Sequence, residues 1–475
     1  MSATELRARP DEFNATIEAD HALVECKKPK RKNTAKLDTL LYTVLILPPE
    51  IVSLIFLYCI PFPCQWEKPD ANWRCPAPLV FLHVCRTWRE IALADASLWT
   101  TPHLRFDEYY LSTSATQQRT PAQIESFFAR WVERARGRPL TLTIHGDMMR
   151  CMGNVRAAAL LTRFAPHVKK LDLWLSGRFK WINGARSLPN LVRWPLLEDI
   201  EIMAADNFRD IADAFSLTPK LRVLADNDGV LSPSSTIPWK QITFFHCMLV
   251  HLQDCVDILR QAETLEDVRF YLDDGDDDGL DDETNTVVHL HLRKLFLDGL
   301  NNGLDAILPL LALPALESLQ IEELPTHPDS MLHFLERHEA HLQELHIHQL
   351  LVKSLPQMPA LTKLTLTTKN EAYTSDLFAL LQCPERRFLP ALEHIHLCRF
   401  RSQERGDYET MARALTDRWH RADGCADIAR LRSLTLQIKL IGDELVEDFE
   451  GLLSPVTALK AAGVNIVVKI WGSKW

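Results

Sequence analysis

The sequence lacks any excess of positive charge, and this removes the first class of partner. It carries 53 Lys and Arg against 63 Asp and Glu, a formal charge of −10, whereas nucleic-acid binders usually carry a basic face that neutralises phosphates. No CxxC pair occurs among its 11 cysteines, which are scattered singly. Such a pattern is that of free thiols in a reducing compartment, cytoplasmic or nuclear. Met1 to Pro10 holds charges and small residues where a secretory signal needs an apolar core, so no export is expected. The most apolar stretch, Leu40 to Phe62, is cut by Pro48, Pro49 and Glu50, which argues against a membrane span. G-x-S-x-G, HExxH, a Walker loop and the Gly-rich dinucleotide fingerprint are all missing, so neither an enzyme nor a cofactor is expected.

Two acid- and histidine-rich features fall short of metal sites. "HIH" occurs at His346/His348 and again at His394/His396. A zinc ion needs a third or fourth ligand at about 2 to 2.3 Å, yet the strand between offers Lys363, Thr365 and Thr367, and the two pairs would sit about 9 to 10 Å apart. In "DDGDDDGLDDE", Asp274, Asp276, Asp278 and Gly279 imitate a calcium loop. Its twelfth position is Asn285 where the bidentate Glu belongs, so a solvated acidic insertion is expected.

What the chain does have is length and a beat. Its 475 residues, 47% hydrophobic and 24% charged, suffice for two or three domains. Residues 1–36 form a polar arm expected to be disordered, with the basic run "KKPKRK" at Lys27 to Lys32 serving as a nuclear import signal or as a solvated charge cluster. From Val168 a pattern of apolar, two variable, then apolar-variable-apolar recurs: "VKKLDL" (Val168), "LEDIEI" (Leu197), "WKQITF" (Trp239), "LEDVRF" (Leu265), "LRKLFL" (Leu292), "LESLQI" (Leu316), "LQELHI" (Leu342), "LTKLTL" (Leu361), "LEHIHL" (Leu392) and "LRSLTL" (Leu431). "LRVLAD" at Leu221 is a broken copy, with Asp226 in the last apolar position. The mean period is about 26 residues, inside the leucine-rich-repeat band.

Alternation within each copy makes a short strand, and apolar helical runs follow several of them, such as "DSMLHFLERHEAHL" with Asp329 as its expected N-cap. Strand, turn and helix in repetition make a solenoid resembling leucine-rich-repeat proteins. The fit is irregular: Leu300, Leu324, Leu350 and Phe400 stand where regular repeats place an Asn or Cys that bonds neighbouring backbones. The variable strand residues should line a parallel, concave sheet, the face repeat proteins commonly use for binding. Its expected target-binding residues are Trp174, Glu201, Arg269, Tyr271, Phe296, Gln320, His346, His348, Thr365 and His396.

Ahead of the repeats stands "LPPEIVSLIFLYC". Pro49 and Glu50 suit the first turn of a helix, and Ile51, Leu54, Ile55 and Tyr58 follow at i, i+3, i+4 and i+7, an apolar face. A second helix reads through "APLVFLHVCRTWREIALADASLW", with Phe81, Val84, Cys85, Trp88 and Ile91 on one side. So small a unit leaves apolar surface that must meet something else.

"LPPEIVSLIF", "VCRTWREIA" and "LW" together resemble the F-box, a three-helix motif that docks on the Skp adaptor of cullin-based ubiquitin ligases. The lead-in "LDTLLYTVLILPPEI" and the later "FFARWVERARGRPLTLTI" further resemble a group of fungal F-box proteins that continue into irregular leucine-rich repeats. The resemblance implies that Leu47, Pro48, Glu50, Ile51, Ile55, Phe56, Val84, Cys85, Trp88, Leu98 and Trp99 include the adaptor contacts and the motif's own core. The connection "IPFPCQWEKPDANWRCPAP" is longer than the compact motif needs.

The expected organisation is α/β: an arm at 1–36, an F-box-like helical domain at 37–105, a linker and helix at 106–137, and an irregular leucine-rich-repeat domain at 138–475. The resemblance implies a non-catalytic substrate receptor, with a Skp-family adaptor, through it a cullin, and an unidentified protein target as partners. The alternative is a repeat scaffold whose helices only cap the array's open end.

Overall fold

The structure, a computed structural model, describes residues 47–60, 78–106, 121–146, 154–175, 193–204, 215–229, 231–272, 286–299, 303–323, 325–348, 352, 355–367, 374–382, 388–400, 405–424, 428–440, 459–460 and 463–472. The arm, the run at Lys27 to Lys32, the acidic insertion, most of the long connection, Leu300, Leu324 and Leu350 lie outside them. Two compact units divide the chain between Trp99 and Thr100.

In the first unit Pro49–Tyr58 is helix α1. Pro48 holds its N-cap, Pro49 sits where a missing N–H is harmless, and Glu50 faces the positive helix end. The segment that reads as one further helix is broken into α2 (Phe81–Val84), α3 (Arg86–Ala94) and a 3-10 turn at Ala96–Trp99. Its break is Cys85, whose backbone is extended and whose sulfur accepts the Trp88 N–H at 3.4 Å, capping α3. Asp95 stops α3: its carboxylate accepts the Ser97 N–H at 2.9 Å and the Ser97 hydroxyl at 2.6 Å. It also accepts the Ser53 hydroxyl, tying α3 to α1. Within this frame Phe56 stacks on Phe81 at 4.1 Å, and Trp88 meets Phe56 edge-on at 4.9 Å. Such pairs add about 0.5–1.5 kcal/mol beyond their burial.

The second unit is built on one sheet of 14 strands, every neighbouring pair parallel and every strand in chain order. These are β1 (His103–Phe106), β2 (Leu140–Gly146), β3 (Val168–Leu175), β4 (Asp199–Ala204), β5 (Val223–Asp226), β6 (Phe244–Val250), β7 (Asp267–Leu272), β9 (Lys294–Asp298), β11 (Ser318–Ile321), β12 (Glu344–His348), β13 (Lys363–Thr367), β14 (His394–Phe400), β15 (Ser433–Leu440) and β16 (Asn465–Gly472). β8 (Val287–Val288) and β10 (Leu311–Ala312) pair separately. The helices between strands are α4 (Pro121–Ala135), α5 (Asn154–Phe164), α6 (Leu252–Gln261), α7 (Gly303–Ile307), α8 (Pro328–His338), α9 (Thr374–Gln382) and α10 (Arg405–Gly424). Apolar strand residues such as Leu171, Leu295 and Leu345 share one continuous core with Val256, Phe334 and Leu415 of these helices. An α/β sheet laid down strand after strand, with no strand inserted later, is what a stack of repeats requires.

The register corrects several expectations. Phe245 and Cys247, not Ile242 and Phe244, pair with Val268 and Phe270. The copy at Trp239 is therefore "ITFFHC", three residues later; Ile242 stands 21 and 23 residues from Leu221 and Leu265, in place of the 18 that separate Leu221 from Trp239. The sheet also begins at His103, and the two compact units divide at 99/100, six residues before the boundary expected at 105/106. Helix α4, assigned to a linker, carries Phe128, whose ring meets that of Phe164 of α5 at 4.1 Å inside the repeat core. β16 extends the array past Leu431. Helix α8 starts at Pro328 with His327 at its N-cap, so Asp329 lies in its first turn and is not the cap.

Asp226 does occupy an apolar position, fully buried, and it is used there. Its carboxylate accepts the N–H groups of Leu231 at 2.7 Å and Asp228 at 3.3 Å, closing the turn after β5. Gly229 in that turn has φ +66°, and a Cβ on it would stand 2.6 Å from the Leu249 carbonyl oxygen, so no side chain fits against the β6 bulge.

Backbone links between repeats, for which regular arrays use one residue type, are made here by different side chains at different seams. Buried His289 donates from Nε2 to the Ala262 carbonyl at 2.9 Å and accepts the Leu292 N–H on Nδ1 at 3.1 Å. Buried His338 donates from Nδ1 to the Phe334 carbonyl at 2.7 Å and accepts the Leu313 N–H on Nε2 at 3.0 Å. Thr264 donates to the Lys240 carbonyl at 2.8 Å, and Arg418 reaches the Leu389 carbonyl at 2.8 Å. Without the histidine and arginine partners, the buried backbone groups would each cost about 1–3 kcal/mol, whereas the Thr264 bond is exposed.

Candidate functional site

Helix α1 turns Val52 and Phe56 inward, while Ile51, Leu54 and Tyr58 are 44%, 49% and 84% exposed. The apolar face that helical spacing picks out is therefore the outer one, because a core of three aromatic rings is already completed by the sparser face. The residues implied as adaptor contacts sort into three groups. Leu47, Pro48, Glu50, Ile51, Ile55 and Val84 are on the surface. Phe56, Leu98 and Trp99 are buried and have no surface to offer a partner; the Trp99 indole N–H donates to the Ala92 carbonyl at 2.8 Å. Cys85 and Trp88 lie between, one capping α3 and the other packed on Phe56. Leu54, Leu57, Tyr58 and Val80 join the exposed set, and the i, i+3, i+4, i+7 spacing of α1 is the signal for two of them.

The second surface is the open face of the sheet, away from the helices. At its start Trp174 stacks with His145 at 6.1 Å. Lys170 reaches Asp199 at 3.2 Å and buried Asp172 at 3.5 Å, while the Thr143 hydroxyl donates to Asp172 at 3.4 Å. Burial pushes the Asp172 carboxyl up to about 6; Lys170 opposes the shift, and Glu201 and Asp199 add to it. Glu201 accepts the Asn227 amide at 3.2 Å.

Further along, Arg269, Tyr271, Phe296, Gln320 and Glu322 gather round a depression of about 470 Å³. Gln320 donates to Glu322 at 2.6 Å, and His346 stands 3.7 Å from the same carboxylate while its other ring nitrogen meets the Thr367 hydroxyl at 2.7 Å. Burial lowers the His346 pKa, with Lys363 acting alongside and Glu322 against. His396, half-buried beside Cys398 at 3.6 Å, is lowered by burial first, then by His346, Lys469 and Lys363.

Two residues expected on this face do not line it. Thr365 is buried because the register sets it between the larger His346 and His396. His348 is buried beside Thr367. Phe244 and His246, which the slipped copy at Trp239 obscured, do stand in register on the open face with Asp267, Lys294 and Arg269. Among the described residues no three His, Cys, Asp or Glu side chains gather as a metal site needs, and no helix is long and apolar enough to cross a membrane.

No family model matches the chain, and no curated protein matches it. Among solved structures, a chain from "Structure of the Toll - Spatzle complex, a molecular hub in Drosophila development and innate immunity" aligns at 12% identity with a TM-score of 0.27. The alignment covers 80% of this chain and 61% of that one, so this chain spans under two thirds of its length; overlap at that score carries no argument.

Proposed function

We propose that the protein is a substrate receptor of a Skp-cullin-F-box ubiquitin ligase. The helical unit docks on a Skp-family adaptor and through it a cullin, and the repeat unit holds a protein target. The observation that carries this reading is the outer face of α1: Ile51, Leu54, Ile55 and Tyr58 stay exposed, with Leu47 ahead of the helix and Val84 of α2, on a unit whose aromatic core is complete without them. Contiguous apolar patches of this kind mark protein interfaces. The role needs no catalytic residue here, since holding target and ubiquitin donor together raises their effective concentration.

Co-expression with a Skp-family adaptor tests it. The wild-type chain is expected to co-purify with the adaptor, and Ile51→Asp with Ile55→Asp is expected to abolish capture while the chain stays folded by circular dichroism. Failure of the wild type to bind, where other F-box proteins bind, overturns the ligase role and leaves the repeat-scaffold reading. Undiminished capture by the double variant places the interface elsewhere.

A further inference from the structure

Across the middle of the open face three rings form a run. His246 on β6 stacks on Tyr271 of β7 at 5.4 Å, and Tyr271 meets Phe296 of β9 at 4.8 Å. Tyr271 and Phe296 remain half-exposed and form one wall of the depression. Its other wall is acidic, with Asp298, Glu322 and Glu323. Arg269 also lines it, but its Nε turns toward Asp267 at 3.8 Å and its guanidinium lies over Phe244 at 5.7 Å, on the β6 side. The negative field reaches the rings: the Tyr271 phenol is pushed up by burial first, then by Asp298, against Arg269 and with Glu322.

An aromatic face attracts a cation through its quadrupole, and a carboxylate attracts it by charge. Here both act on one space. An acidic segment would meet three like charges, and a purely apolar one would bring no charge to offset the carboxylates it took out of water. We propose that this depression receives a cationic side chain, preferentially arginine, from an extended segment of the protein target. Its flat guanidinium lies against Tyr271 and Phe296 while the carboxylates hold its charge; lysine, a compact point charge, stacks less well. The cavity, about 470 Å³, holds one long side chain and the residues beside it. This inference rests on reading the repeat unit as the target-binding surface, and it names the target's chemistry.

The test uses the full chain and a fluorescein-labelled nonapeptide of alternating glycine and arginine, with lysine and citrulline counterparts, read by anisotropy. Arginine is expected to bind better than lysine, and citrulline not measurably. Phe296→Ala, and separately Asp298→Asn with Glu322→Gln, should each weaken the arginine peptide about tenfold, the scale of one lost cation–π contact or charge pair in partly dry surroundings. Glu263→Gln with Glu266→Gln, an equal loss of charge on exposed positions before β7, should change affinity less than about twofold. Equal loss in both charge variants, or none in Phe296→Ala, overturns the proposal, and thermal melts confirm that each variant is folded. Adaptor co-purification runs in parallel: capture without arginine selectivity sinks only this inference, and selectivity without capture sinks only the ligase role.

Discussion

Ile51 and Leu345 are side chains of equal size with opposite fates. Ile51 stands 44% exposed on a ten-residue helix, while Leu345 is closed between two sheet neighbours and the helix layer. In the repeat unit each copy covers the apolar face of the one before, so the core runs on without a natural limit. The helical unit has no such neighbour of its own kind. It packs Phe56, Phe81 and Trp88 against one another and leaves Ile51, Leu54, Ile55 and Tyr58 outside, which suits a unit expected to meet a partner.

The helical unit is most easily undone at Trp99, which is fully buried. Trp99→Ala should cost about 3–5 kcal/mol, about the whole stability of a unit near fifty residues. Limited proteolysis should then cut ahead of Thr100 and leave a resistant fragment from there onward; loss of resistance along the whole chain would show that the units are not independent. Leu345→Ala should cost about 2–5 kcal/mol, and faster hydrogen exchange should be confined to β11, β12 and β13. Protection lost evenly over the sheet would mean one cooperative block.

Acid sharpens the contrast inside the repeat unit. Asp172 has a folded pKa of about 6 against an ordinary 3.8, so the folded state holds its proton more tightly. That contribution is fully present below about 3.8 and is lost as pH rises through about 6, at most about 3 kcal/mol. Asp172→Asn should flatten this fall in denaturant titrations between pH 4 and 7. His289 and His338 act with the opposite sign: burial lowers both pKa values, and each accepts a backbone N–H only when neutral. Their stability is present above about 6.5 and is lost as pH falls below it. His289→Gln with His338→Gln should weaken that dependence on the acid side, checked in the same titrations. The smallest effect belongs to the helical surface, where Tyr58→Ser should change stability by less than about 0.5 kcal/mol, read as an unchanged thermal midpoint.

The beat of leucines was enough to place the strands of the main sheet from β3 to β15 except β6, because an apolar-variable-apolar triplet has one way to face a shared core. It failed where a copy lost its leading residue. β16 begins after Gly463, and β2 reaches its core positions one residue early through a register shift at Leu140. At Trp239 a 3-10 turn supplied buried Trp239 and Ile242, an apolar pair three apart that imitates the start of a copy. In the helical unit periodicity found the apolar faces but not which one was inside. That choice was made by Phe56 meeting Phe81 across the long connection, a contact no local spacing encodes. The buried state of Thr365 likewise came from its neighbours on β12 and β14.

Because the seams at His289, His338 and Arg418 are closed by side chains placed differently in each copy, those repeats are not interchangeable parts. A copy carrying His338, moved to another place in the array, would bring a ring that needs a carbonyl one turn back and an N–H about 25 residues earlier. The seam it left would keep a buried amide with nothing to bond. Duplicating or exchanging that one repeat would therefore break a buried hydrogen bond at each new joint.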